Sequence, residues 1–251
     1  MRARALRHAG AVAAVTTLAL ALTACGGEEK KQEDTGKADA SASAAAKPDV
    51  KALSAAELEK LVVGQADLKG YQVKKAKSDE VLNPGDVSAD KPACEPLAEA
   101  MSWIAPGTPG AKVVRKAIQV PAQDAAADPE KALGALATPM TTVTLGSYAG
   151  QGAEQAFASL KTAGTDCAGG FTATASGEKV KVTKVAADTA AGGDETLAWT
   201  ITSDLDGTPM VTKLAVLRKG NTLAGFATMS LGGEVKEQPK TVIDAQAAKL
   251  R

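Results

Sequence analysis

The sequence predicts an α+β domain: a twisted antiparallel sheet with helices packed mainly on one face. Three observations carry that expectation. Leu197, Trp199 and Ile201 alternate with Ala198, Thr200 and Thr202, the period of a half-buried antiparallel strand. Asp206-Gly207 and Lys219-Gly220-Asn221 are hairpin signals, so segments near 195–203, 209–218 and 222–231 read as a three-strand meander. Over the whole domain the elements run α-β-α-β-β-α-β-β-β-β-β-α, an order most economically packed as one sheet with flanking helices. No internal repeat is present.

The elements follow from local chemistry. Ser54 with Glu57 three residues on is a capping box, and Leu53 with Leu58 a hydrophobic staple, so a short helix starts there and stops by Gly64. Tyr71–Lys75 reads as a strand. Asn83-Pro84-Gly85-Asp86 marks a loop over 79–90. The next helix starts at Pro96, because a proline is favoured in a first turn and breaks a helix further in. Its Leu97, Ala100, Met101 and Ile104 share one face. Strands are expected at 112–120 and 140–148, separated by an Ala-rich stretch that no period assigns. A helix over 151–163 has Ala153, Ala156, Phe157, Leu160 and Ala163 as its inner stripe, with Gly164 as its stop. Strands at 171–176 and 179–185 lead into the meander, and a last helix from about Pro239 buries Ile243, Ala247 and Leu250.

The N-terminus says where the domain works. Arg2, Arg4 and Arg7 precede an apolar run from Ala9 to Leu22, the layout of a secretory signal and too short to span a bilayer. Leu22 is too large for ordinary signal cleavage after Ala24. Leu22-Thr23-Ala24-Cys25 instead resembles the lipobox of bacterial lipoproteins, which implies that Cys25 is lipidated (palmitate) and becomes the first mature residue. Residues 25–48 are charged and then low-complexity, with no apolar period, so they read as a disordered tether reaching about 25–30 Å. Residues 1–24 are thus signal peptide, 25–48 anchor and tether, and 49–251 one extracellular domain on the outer face of the membrane.

Composition then excludes whole classes of chemistry. Of 29 basic residues three leave with the signal and none of the 29 acidic ones does, so the mature chain is weakly acidic. That charge fits no nucleic acid. No polybasic run is present either, and the lipid must supply the membrane attachment. The single histidine, His8, also leaves. A mature chain without histidine runs no Ser-His-Asp or Cys-His mechanism and builds no His-containing zinc site. Of the three cysteines Cys25 goes to lipid, and outside the membrane Cys94 and Cys167 are expected to form a disulfide bond. With no imidazole, acid pH should lower stability only by protonating carboxylates whose folded-state pKa values are depressed.

Each catalytic motif fails on its context. Gly150-Gln151-Gly152 lacks the third glycine of a dinucleotide fingerprint. Ser88-Ala89-Asp90-Lys91 has the Ser-x-x-Lys spacing but no companion boxes, and Pro92 follows it. Asp204-Leu205-Asp206-Gly207 lacks the further acids of a calcium loop. Ser147 lacks the glycines of a nucleophile elbow. No enzyme, metal or cofactor is therefore expected.

One resemblance covers roughly 138–251 and, more loosely, 53–104. It rests on Tyr148-Ala-Gly-Gln-Gly-Ala-Glu-Gln-Ala-Phe with Cys167 just past the helix, on Gly193-Asp194-Glu195-Thr196, on Leu217-Arg218-Lys219-Gly220-Asn221-Thr222-Leu223, and on the final Gln246-to-Leu250 helix. These segments resemble the sensor-type extracellular domain of actinobacterial lipoproteins, similar to that on mycobacterial membrane Ser/Thr kinases. The resemblance implies a twisted antiparallel sheet, flanking helices, a cleft and disulfides. It assigns no binding residue. The functional expectation is a non-enzymatic domain that binds a small molecule, lipid or envelope protein through that cleft; the alternatives are an envelope-assembly scaffold and an enzyme of unfamiliar type.

Overall fold

A computed structural model describes residues 50–120, 138–230 and 234–250. The expected signal, the lipobox Cys25, the tether and most of the unassigned Ala-rich stretch lie outside those residues.

Ser54 opens α1 (Ala55–Leu61) by the expected box: its hydroxyl accepts the Glu57 N–H, and the Glu57 carboxylate accepts the Ser54 N–H at 2.8 Å. Seven residues are too few to stand by helix propensity, so fully buried Leu58 docks the helix. β1 (Tyr71–Lys75) follows. The loop expected over 79–90 contains a further strand, β2 (Val87–Ala89), too short to leave a period in the sequence. α2 (Glu95–Met101) begins one residue before Pro96, which sits in its first turn. β3 (Ala111–Gln119) and β4 (Met140–Ser147) precede α3 (Gly152–Asp166), whose buried stripe is the one the spacing predicts. β5 (Phe171–Ala175), β6 (Glu178–Ala187), β7 (Glu195–Leu205), β8 (Thr208–Lys219) and β9 (Thr222–Met229) lead to α4 (Lys240–Lys249).

Among the described residues the nine strands make one sheet in the order β1-β3-β4-β9-β8-β7-β6-β5-β2, antiparallel throughout. The α+β class stands. The layering differs from the expected one, because helices cover both faces. α2 and α3 pack on a core that includes Trp199, Ile201, Leu214 and Val216. α1 and α4 pack on a second core that includes Ala198, Ala215, Leu217 and Phe226. The physical reason lies in β8, where Leu214-Ala215-Val216-Leu217 is apolar without a break and so must be buried on both faces. Among the described residues every buried apolar residue lies between Leu58 and Ile243, so a chain beginning near Lys47 contains all of that core.

Two helix ends also differ. Gly164 does not stop α3, which continues to Asp166. A Cβ at Gly164 would stand 2.3 Å from Trp199 Nε1, so glycine is there to let the indole lie against the helix backbone. In α4 the buried residues are Val242, Ile243 and Gln246, while Ala247 and Leu250 are half-buried. Gln246 is fully buried because its amide accepts from Val63 N–H and donates to Leu61 C=O, both at 2.9 Å, satisfying the backbone where α1 ends.

Cys94 lies in the 3-10 turn before α2 and Cys167 caps α3. Their Cα atoms are 5.8 Å apart and their sulfurs at bonding distance, the geometry a disulfide requires.

Candidate functional site

On the α1/α4 face, residues 234–239 separate two clefts. The larger has a volume of about 440 Å³ and lies between the β6–β7 connection (Asp188, Ala190, Ala191), the segment before α4 (Gln238) and α4 itself (Ile243, Asp244). The smaller, about 260 Å³, shares Lys236, Glu237, Gln238 and Lys240 with it and is otherwise lined by Tyr71, Gln119, Thr141 and Thr228 among others. Thr141 Oγ1 and Thr228 Oγ1 are hydrogen-bonded to each other at 2.9 Å across paired strands.

A fixed polar cluster stands where the larger cleft meets the sheet. Lys213, buried on β8, donates to Asp188 Oδ2 at 2.9 Å and to Thr200 Oγ1 at 2.8 Å. Thr200 donates in turn to Asp188 Oδ2 at 2.9 Å, and Gln238 Nε2 to the same oxygen at 3.1 Å. The Thr189 N–H reaches the other carboxylate oxygen at 2.8 Å. Burial opposes charge on Asp188, but the donors from Lys213, Thr189, Gln238 and Thr200 together outweigh it and hold its pKa down at about 2. Register explains the meeting: Thr200 pairs with Lys213 across β7–β8 and with Ala186 across β6–β7, which brings the end of β6 alongside.

A hydroxyl beside a lysine and a carboxylate is the raw material of a nucleophile and its base. The bonding here is arranged otherwise. Thr200 gives its proton to Asp188, and an ammonium engaged with that carboxylate has donors only and cannot take a proton. The cluster is a clasp. One atom in it is unmatched: Gln238 Oε1 is buried, and among the described residues no donor meets it. Its Nε2 is committed to Asp188 and, at 3.2 Å, to the Trp199 carbonyl, so the amide cannot flip to hide the oxygen. An acceptor buried without a donor costs free energy, which the other bonds of the clasp must offset.

The motifs rejected from sequence are occupied by structural bonds. Gly150 has φ +54° in an open turn, as a glycine turn requires. Lys91 Nζ is bound to the Gly170 carbonyl at 2.7 Å, away from any role with Ser88. Asp204 accepts the Gly207 N–H at 2.6 Å and closes the β7–β8 turn. Elsewhere, Glu99 of α2 is a buried acid; burial pushes its carboxyl above the ordinary value, against the Gly107 N–H that holds it down. Among the described residues no group of three metal-ligating side chains is assembled, and no helix is long and apolar enough to cross a membrane. The sequence left the cleft residues open. Asp188, Lys213 and Thr200 carry no motif, and only the pairing of three strands brings them together.

No protein-family model matches the chain, and no curated protein does. Among solved structures it is similar to the extracellular domain of PknH from Mycobacterium tuberculosis, at 15% identity over 80% of this chain and 95% of that one, with a TM-score of 0.44. It is also similar to an uncharacterised protein, the Rv0999 ortholog of Mycobacterium smegmatis, at 10% identity over 78% and 93% of the two chains, with a TM-score of 0.34. Neither superposition carries a residue or a role over to this chain.

Proposed function

We propose that this chain is a lipid-anchored extracytoplasmic domain that binds a ligand in the cleft between the β6–β7 connection and α4. It acts as a sensor-like binder and catalyses nothing. The observation that carries this reading is the 440 Å³ cleft, where apolar Ala190 and Ile243 stand beside charged Lys236, Glu237 and Lys240, and where Asp188 and Gln238 are held in place by Lys213 and Thr200 behind them. A concave site that sets fixed polar groups beside apolar surface is how small-molecule sites are built. The loss of the only histidine with the signal and the donor-only state of Lys213 support binding over catalysis.

Two measurements test the two halves. Mass spectrometry of the mature protein isolated from membranes should find a stoichiometric small molecule or lipid; clean protein with no bound species contradicts the binding half. A fatty-acid probe should label the wild-type chain and fail on Cys25→Ala, which should leave the membrane fraction. Equal labelling of both overturns the anchor.

A further inference from the structure

Among the described residues the sheet has two edges, and they are protected differently. β2, at one edge, has only three residues, with backbone bonds at both margins from Ser176 N–H to Asp86 C=O and from Asp90 N–H to Thr172 C=O. An edge that short offers little for another strand to pair with. β1, at the other edge, has five residues and pairs with β3 over its whole length.

The alternation of β1 is fixed by bonds just beyond its ends. Ala76 N–H donates to Val114 C=O, and Gly70 C=O accepts from Val120 N–H, so even-numbered residues turn their backbone groups inward to β3. Tyr71, Val73 and Lys75 therefore turn theirs outward. Across this outer row lies the side chain of Gln65. Its Nε2 donates to Tyr71 C=O at 2.7 Å and its Oε1 accepts from Val73 N–H at 2.9 Å. One amide has taken the donor and the acceptor that the backbone of a neighbouring strand would take.

Gln65 is held in place for this. It sits in a 3-10 turn, Gln65–Asp67, whose Asp67 carboxylate accepts the Gly64 N–H at 2.7 Å and pairs with Lys249 of α4 at 3.0 Å. Leu68, 1% exposed, pins the turn from below, and its carbonyl accepts the Tyr71 N–H. Such an apparatus around an exposed glutamine has no packing purpose of its own.

We infer that the outer edge of β1 is a self-association surface for a second copy of this chain, kept shut by Gln65 acting as a stand-in strand. Two β1 edges meeting antiparallel about Val73 would exchange the Val73 N–H and C=O of each copy. The Val73 N–H is the group that Gln65 occupies. Shutting the edge keeps a domain crowded on a membrane surface monomeric, and it is independent of what the cleft binds.

The test is sedimentation of the chain from Lys47 onward across a concentration series, with hydrogen exchange read at Val73. Wild type should be monomeric. Gln65→Ala should self-associate with a constant raised about tenfold or more, the factor worth one or two backbone hydrogen bonds. The Val73 amide of its diluted monomer should exchange faster than in wild type. Adding Val73→Pro removes the outward N–H at a position where an edge tolerates proline, and should restore the monomer. A monomeric Gln65→Ala with unchanged Val73 exchange overturns the inference, as does a wild type already dimeric. A Gln65→Ala dimer that survives Val73→Pro also overturns it, because the contact then lies elsewhere.

Discussion

Four donors converge on Asp188, and its carboxylate answers by staying charged far into acid. Its folded pKa of about 2 lies below the unfolded value of about 3.9, so the stability it contributes is fully present above about pH 4 and is lost as pH falls toward 2. Asp188→Asn would leave the Lys213 ammonium, whose side chain is 10% exposed, without its counter-charge. The site is partly open, so the cost falls below that of a fully buried pair: about 2 kcal/mol, or roughly 5 °C in Tm. Thermal unfolding of both proteins at pH 7 and near pH 2 checks this; the gap should close at the acid end, and a constant gap would assign the loss to packing. Glu99 works in the other direction. Its carboxyl is raised by burial, so its contribution to stability grows as pH falls through its folded pKa. The expectation that acid acts only through depressed carboxylates is incomplete for that reason: burial of one glutamate on α2 is invisible in composition.

At the scale of elements, α3 and β7 show how far a sequence can be read. The stripe Ala153, Ala156, Phe157, Leu160 and Ala163 was legible because a helix face repeats, and so were the hairpins, because turn chemistry is local. Gly164 was misread because a glycine after an apolar stripe looks the same whether it ends a helix or admits a neighbour. The distinction is measurable. Gly164→Ala should gain about 1 kcal/mol of helix propensity and lose more to overpacking against Trp199, for a net loss of about 1–2 kcal/mol. A variant more stable than wild type would return Gly164 to the role of a stop. Cys94 and Cys167 join the start of α2 to the end of α3 across 73 residues. Cys94→Ser should cost about 2–4 kcal/mol in denaturant melts. Cys167 is fully buried, so its thiol should react slowly in the folded variant and quickly after denaturation. Two thiols that react in unreduced native wild type would refute the bridge.

For the molecule as a whole, the class and the sheet were legible while the layering and the site were not. The β7 alternation suggested one wet face, yet β8 is apolar on both, and α1 and α4 close the second side. The cleft lies on that second side. It therefore escaped the sequence together with the layer that forms it: Asp188, Lys213 and Gln238 lie 25 and 50 residues apart in the chain and meet only when β6, β7 and β8 pair beneath the segment before α4. Composition does limit what such a cleft can do, because the single histidine, His8, lies outside the described domain. The most direct measurement is native mass spectrometry of wild type beside Ala191→Trp, which places an indole at the wall of the larger cleft from an exposed position that leaves the core alone. The account predicts a bound species on wild type and its loss from the variant, with Tm lowered only by the stabilisation the bound species supplied, so that the two proteins melt alike once wild type is stripped of it. An equal bound mass on both proteins, or none on either, would contradict it.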